Sequence, residues 1–247
     1  MRHPPRGAYV YSDLRVNVTD ANRPYDRGYY ERPTLEVARG LLGAILVHET
    51  AQGRRSGVIV ETEAYIAPED AACHAYRGIT NRNRVMFGAA GHAYVYRSYG
   101  IHYMLNVVTE AAGVAAAVLI RAIEPRDGLD IMRANRGLSA DGTGAANVTN
   151  GPGRLCQALA IGPALNGSDL IGPPLYIAPG IAIPATAHGD PSVVQTTRIG
   201  ITRAVELPWR FYIKGNPAVS VRDRAAEAKG DRRRAMGDGR RAIGDRR

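Results

Sequence analysis

Apolar positions in this chain fall mostly in short runs broken by glycine, proline and polar clusters, which predicts brief strands with a few helices between them. The first 22 residues show no period. In Arg32-Pro33-Thr34-Leu35-Glu36-Val37-Ala38-Arg39-Gly40-Leu41-Leu42-Gly43, proline suits a first helical turn, Leu35, Ala38 and Leu42 share a face, and Gly43 suits the stop. Ala44 to Val47 reads as a strand, and the turn-rich Ala51-Gln52-Gly53-Arg54-Arg55 returns it as a hairpin partner for residues 57–65. Ala93 to Arg97 alternates as a strand, Ser98-Tyr99-Gly100 is a turn, and Ile101 to Thr109 is a second strand. Val114 to Arg121 is a strand apolar on both faces, on which Leu119 and Arg121 point the same way. Residues 125–136 fit a helix, 137–148 a loop, and 150–162 a glycine-bearing turn followed by an amphipathic helix. Closing strands are predicted near Leu175 to Ile177, Thr196 to Thr202 and Trp209 to Ile213.

The stretch Gly57 to His74, GVIVETEAYIAPEDAACH, carries the densest chemistry. Its β-branched opening predicts a strand, and period-two alternation places Ile59, Glu61, Glu63 and Tyr65 on one face, with Val58, Val60, Thr62 and Ala64 on the buried other. Pro68 ends the strand in a loop leading to His74. Two carboxylates, a tyrosine and an imidazole therefore meet at one edge. Glu61 and Glu63 are rival candidates for a general base.

A net charge of +9 and a pI near 9.8 fit nucleic acid binding without requiring it. Residues 222–247 hold ten Lys or Arg against five acids and few large apolar residues, which predicts a disordered basic tail. That tail is equally readable as a solvated extension or as a tether to DNA. The chain thus divides into a variable extension, 1–22, one domain, 23–221, and the tail, 222–247. No apolar run has the length of a membrane span and the N-terminus has no apolar leader core, so a soluble, intracellular protein is expected. Cys73 and Cys156 give neither a disulfide framework nor metal-ligand spacing, and both read as small buried thiols.

HExxH, GxSxG, GxGxxG and paired CxxC motifs are absent. The nearest approach to a metal set is Glu69, Asp70 and His74. Three arginines in the loop Arg77 to Arg84 read as solvated or as phosphate contacts. Tyr99, an aromatic on a turn, reads as a cover for the core edge or as a wedge into stacked bases. A carboxylate beside several aromatics suits a base-stacking pocket with a positioned water.

Several long motifs now combine. Val60-Glu61-Thr62-Glu63-Ala64-Tyr65, Pro68 to His74, Arg82-Asn83-Arg84-Val85-Met86-Phe87, Tyr94-Val95-Tyr96 with Tyr99-Gly100, Leu105-Asn106, Arg121 to Pro125, Asn150 to Leu159 and Arg210 to Pro217 together resemble the alkyladenine (methylpurine) DNA glycosylase family, in its order, from about Tyr25 to Val221. Asn81 stands where that family commonly has proline.

The resemblance implies an α+β fold: one compact domain with helices around a curved, largely antiparallel sheet. It implies a monofunctional DNA glycosylase of base excision repair that excises 3-methyladenine, 7-methylguanine, hypoxanthine and ethenoadenine. No cofactor and no metal are implied. The partner would be double-stranded DNA holding a damaged purine, with no membrane, and the protein a monomer, cytoplasmic and associated with the nucleoid. By the same resemblance Glu63 is the general base, Tyr65, His74 and Tyr96 contact the flipped base, Asn106 disfavours guanine, Leu119 supports the pocket and Tyr99 fills the gap in the duplex. Arg82, Arg84, Arg121 and Arg154 are the expected contacts to the DNA backbone. A lesion-binding protein without turnover is the alternative of another class.

Overall fold

The structure is a computed structural model that describes residues 23–139, 143–180 and 192–228. Helices α1 (Arg27–Tyr30) and α2 (Thr34–Gly40) precede strands β1 (Ile45–Thr50) and β2 (Gly53–Ile66). Then follow β3 (Ala93–Ser98), β4 (His102–Val108), β5 (Ala116–Pro125), α3 (Leu129–Asn135), α4 (Pro152–Leu159), β6 (Leu175–Ala178), β7 (Val193–Thr196) and β8 (Arg210–Ile213). The eight strands form one curled, antiparallel sheet in the order β3-β4-β5-β2-β1-β6, and β8 pairs with both β2 and β7. This α+β domain has the class that the motifs imply.

Strand β2 is the branch point. Its Val58-Ile59-Val60 run favours extended backbone, and β5 flanks it from Gly57 to Ile66. On its other edge, β1 takes Gly53 to Val58 and β8 takes Glu61 to Glu63. Gly57 is needed for close packing, since a Cβ there would lie 2.7 Å from the Glu124 carbonyl. Pairing with β5 shifts register between Ile59 and Thr62. Alternation survives the shift for Glu61, Glu63 and Tyr65. Ile59, expected beside them, instead lies fully buried in the main core with Val58 and Val60.

Helix α2 covers this core with Val37 and Ala38, and the Thr62 hydroxyl donates to the Ala38 carbonyl at 2.8 Å. One of its free N-terminal amides is satisfied from afar: the Thr34 amide donates to Glu110 at 3.0 Å, and the Thr34 hydroxyl donates to the same carboxylate. Beyond the helix, Gly43 turns with φ +87° and its amide bonds the Ile59 carbonyl at 2.8 Å. Helix α4 starts at Pro152 and buries Leu155, Cys156, Ala158 and Leu159. Full burial of Leu155 and of Leu159 contributes about 1.5–3 kcal/mol each. Both cysteines are buried thiols, and burial raises Cys73 to about 11 and Cys156 to about 12.

Three boundaries differ from the periodicity. Helix α3 begins only at Leu129, because β5 runs on to Pro125. Strand β7 ends at Thr196, whereas the apolar pattern extends to Thr202. The reason is tertiary: the chain from Thr197 leaves the sheet to bond the site described below. Residues 222–228, assigned from composition to a disordered tail, pack on β8. There the Tyr212 hydroxyl donates to Glu227 at 3.1 Å, the Asp223 amide donates to Tyr212 Oη at 2.9 Å, and Thr196 donates to Asp223. The extension 1–22, the rest of the tail and residues 140–142 lie outside the described residues. Among those described, no helix is long and apolar enough to cross a membrane.

Candidate active site

Sheet register assembles the site. Tyr94 is the cross-strand partner of Asn106, Asn106 of Leu119, Leu119 of Glu63, and Glu63 of Arg210. Directly opposed residues project to the same side of a sheet, so one row across five strands delivers these side chains together. Two residues along each strand, Tyr96, Arg121, Glu61 and Tyr65 extend the same face. A cleft of about 620 Å³ lies over it, lined by Tyr65, His74, Arg82, Met86, Tyr96, Tyr99, Met104, Asn106, Leu119, Arg121 and residues 199–203. A cavity of that size holds one flat ligand of nucleobase dimensions.

Glu63 is fully buried directly behind this wall. Its Oε1 accepts from the Ile199 amide at 2.8 Å, its Oε2 accepts from the Tyr65 hydroxyl at 2.9 Å, and Arg121 Nη1 is 3.2 Å from Oε2. All three partners line the cleft. Glu61, equally buried, is held differently. It accepts from Arg121 Nε at 3.0 Å, Arg210 Nη1 at 3.1 Å, the Ser220 amide at 2.7 Å and the Ser220 hydroxyl at 3.0 Å. None of Glu61, Arg210 and Ser220 lines the cleft. Glu61 is thus a fully satisfied anchor joining β2 to β5, β8 and the C-terminal segment.

Arg121, expected at the DNA backbone, is almost completely buried and serves both glutamates, while still facing the cleft. Burial disfavours its cation, but Glu63 and Glu61 more than offset this and leave its pKa above the ordinary arginine value. Its charge is therefore compensated. Burial, and next the negative charge of Glu63, hold the Tyr65 hydroxyl protonated far above its usual range.

The aromatic wall is built by contacts between rings. His74 and Tyr96 meet edge to face at 4.4 Å between centroids, and His74 Nδ1 lies 3.1 Å from Tyr94 Oη. The Arg82 guanidinium sits 5.5 Å from the Tyr96 ring centre and bonds the Arg97 carbonyl at 3.2 Å. Burial, then Arg82, lowers the His74 pKa, so the imidazole is favoured neutral. Asn106 Nδ2 donates to the Tyr94 carbonyl at 3.1 Å, which fixes the amide against the cleft. Tyr99 stands at the rim with 92% of its surface exposed and φ +49°.

Of the remaining arginines, Arg84 is exposed and bonds Asn81, and Arg154 is exposed and bonds Asn150 at 2.8 Å. Neither lines the cleft. Glu69, Asp70 and His74 do not converge as ligands: Glu69 is exposed, Asp70 is buried against Arg198, and His74 turns to Tyr94. Among the described residues no three His, Cys, Asp or Glu side chains are grouped to hold a metal ion. Sequence reading missed Ile199, Arg198 and Arg203, because the run Thr196 to Thr202 resembles a strand. The one local signal was Gly200, which adopts φ +74° where the chain turns.

The methylpurine-DNA glycosylase family profile matches residues 28–217. A relative from Rubrobacter xylanophilus, provisionally named a 3-methyladenine DNA glycosylase, is 52% identical over 194 residues, covering 78% of this chain and 95% of its own. Relatives of the same name from Chlorobaculum parvum (46% over 207 residues, 83% and 95% of the two chains) and Methanoculleus marisnigri (50% over 194 residues, 78% and 97%) match similarly.

Proposed function

Because the chain belongs to the methylpurine-DNA glycosylase family, we propose that it flips a damaged purine out of duplex DNA into this cleft and hydrolyses the N-glycosidic bond, with Glu63 as general base. The observation that carries the assignment is the hold on Glu63: its two carboxylate oxygens bond groups that line the cleft, while Glu61 bonds groups none of which but Arg121 does so.

In this reaction water attacks the sugar anomeric carbon. The C–N bond breaks with its electron pair leaving on the base, and the water proton passes to Glu63. Alkylation at N3 or N7 makes the purine cationic and a good leaving group, so little acid catalysis is needed. The walls suit such a base. Tyr65 and Tyr96 offer electron-rich rings, His74 is held neutral, and the charge of Arg121 is compensated. Asn106 presents its amide to the base edge and disfavours guanine, and Leu119 packs beneath. Neutral purines such as hypoxanthine and ethenoadenine need protonation on leaving and depend more on fit.

Tyr99 enters the gap left by the flipped nucleotide. Arg82, Arg84 and Arg154 hold the phosphate backbone, and the chain acts as a monomer without metal or organic cofactor. The test is a panel of duplexes each bearing one defined lesion, with and without EDTA. The expected result is alkali-labile abasic sites, insensitive to the chelator. Binding of lesions with no base release would favour a recognition protein without turnover, and loss of activity with chelator would overturn the metal-free reading.

A further inference from the structure

The Arg198–Asp70 ion pair lies outside the cleft lining and takes no part in the chemistry above. Both side chains are fully buried. Arg198 Nη2 donates to Asp70 Oδ1 at 2.8 Å, and Nη1 donates to Asp70 Oδ2 and, at 2.9 Å, to the Ala64 carbonyl. The guanidinium lies over two rings, 4.7 Å from the Tyr65 centroid and 5.3 Å from that of Trp209. Tyr65 lines the cleft and Arg198 does not. The cation thus packs over the Tyr65 ring without itself lining the cleft.

We propose that the Arg198–Asp70 pair is a specificity-determining element, which sets how strongly the Tyr65 wall prefers a cationic over a neutral purine. This rests on the glycosylase reading of the cleft. A guanidinium over one face of a tyrosine draws on the same π density that a cationic base uses on the other. Left alone, its charge would also repel that base across the ring. Asp70, bound to it through both oxygens, cancels the charge at this range and leaves the ring free to attract. Geometry adds a second role. The adjacent residue, Ile199, bonds Glu63, and Asp70 belongs to the loop carrying Ala71, Ala72 and His74 into the cleft.

Two variants separate charge from positioning. Asp70→Asn keeps the side-chain size and leaves Arg198 without its paired carboxylate. It lowers the ratio of kcat/KM for 7-methylguanine to that for hypoxanthine by about threefold to tenfold, chiefly through KM for the cationic base. Arg198→Met with Asp70→Leu removes both charges, a kind of replacement that folded proteins commonly accept. In this double variant the ratio stays at the native value or rises. A parallel fall of both substrates in Asp70→Asn, an unchanged ratio there, or a lowered ratio in the double variant overturns the proposal. If the native chain releases neither base, the glycosylase reading falls and this inference with it. If it releases both and only the ratios disobey, the inference alone fails.

Discussion

The Ile199 amide donates a 2.8 Å hydrogen bond to Glu63 Oε1, joining a loop residue to a strand residue 136 positions earlier. With the Tyr65 hydroxyl on the other oxygen, the carboxylate is held in one orientation. Glu63→Gln keeps the shape but loses the proton acceptor. It should lower base release by at least about a hundredfold while leaving DNA affinity within about twofold. Single-turnover release from methylated DNA, paired with a gel-shift titration, checks this. Native-like release would remove Glu63 from the base role.

Glu61 should behave as a structural anchor. Neutralising it in Glu61→Gln removes the carboxylate that Arg210 pairs with and leaves Arg121 to Glu63 alone. Breaking a buried pair in this way costs about 3–5 kcal/mol. Denaturant unfolding should therefore show Glu61→Gln as much less stable than Glu63→Gln. An inactive Glu61→Gln of native stability would transfer the base role to Glu61.

Tyr99 is almost fully solvated, so little of the fold depends on it. Tyr99→Ser should leave the unfolding midpoint unchanged and reduce release from duplex DNA by about tenfold, the scale of one lost base-stacking contact. Release from single-stranded DNA, where no gap must be filled, should fall much less. Equal losses on both substrates would argue against a wedge.

The His74 pKa lies below its ordinary value of 6.5 because burial, and then Arg82, disfavour the imidazolium. A depressed folded value means that, between it and 6.5, the unfolded chain binds more protons than the folded one. This group's contribution to stability is thus complete above about 6.5 and is lost as pH falls through the folded value. An NMR titration of the ring should give a midpoint under 6.5, and Arg82→Gln should move it upward. A downward move would mean that the ring does not feel the Arg82 cation.

Asn106→Ala removes an amide fixed by the Tyr94 carbonyl. Release of unmodified guanine should rise by about tenfold or more relative to hypoxanthine, the size of one lost steric or polar exclusion. Product analysis on undamaged DNA detects it. An unchanged ratio would place discrimination elsewhere in the cleft.

Much of this protein was legible along the chain. Alternation from Glu61 to Tyr65 is a property of extended backbone, so the shared face of two acids and a tyrosine follows from local geometry. Glycine marked the hairpin before β2 and the tip at Tyr99 in the same way, since its backbone freedom acts within a few residues. The aromatic and Asn106 positions came from family motifs, and the register from Tyr94 to Arg210 shows how they meet. Tertiary structure alone decided which glutamate bonds the groups that line the cleft, why Arg121 faces inward, and that an apolar run after Thr196 leaves the sheet. Those outcomes depend on hydrogen bonds from Ile199, Ser220 and Arg198 to partners more than a hundred positions away. No local periodicity encodes them, because a buried charge selects its partners by proximity in the folded chain.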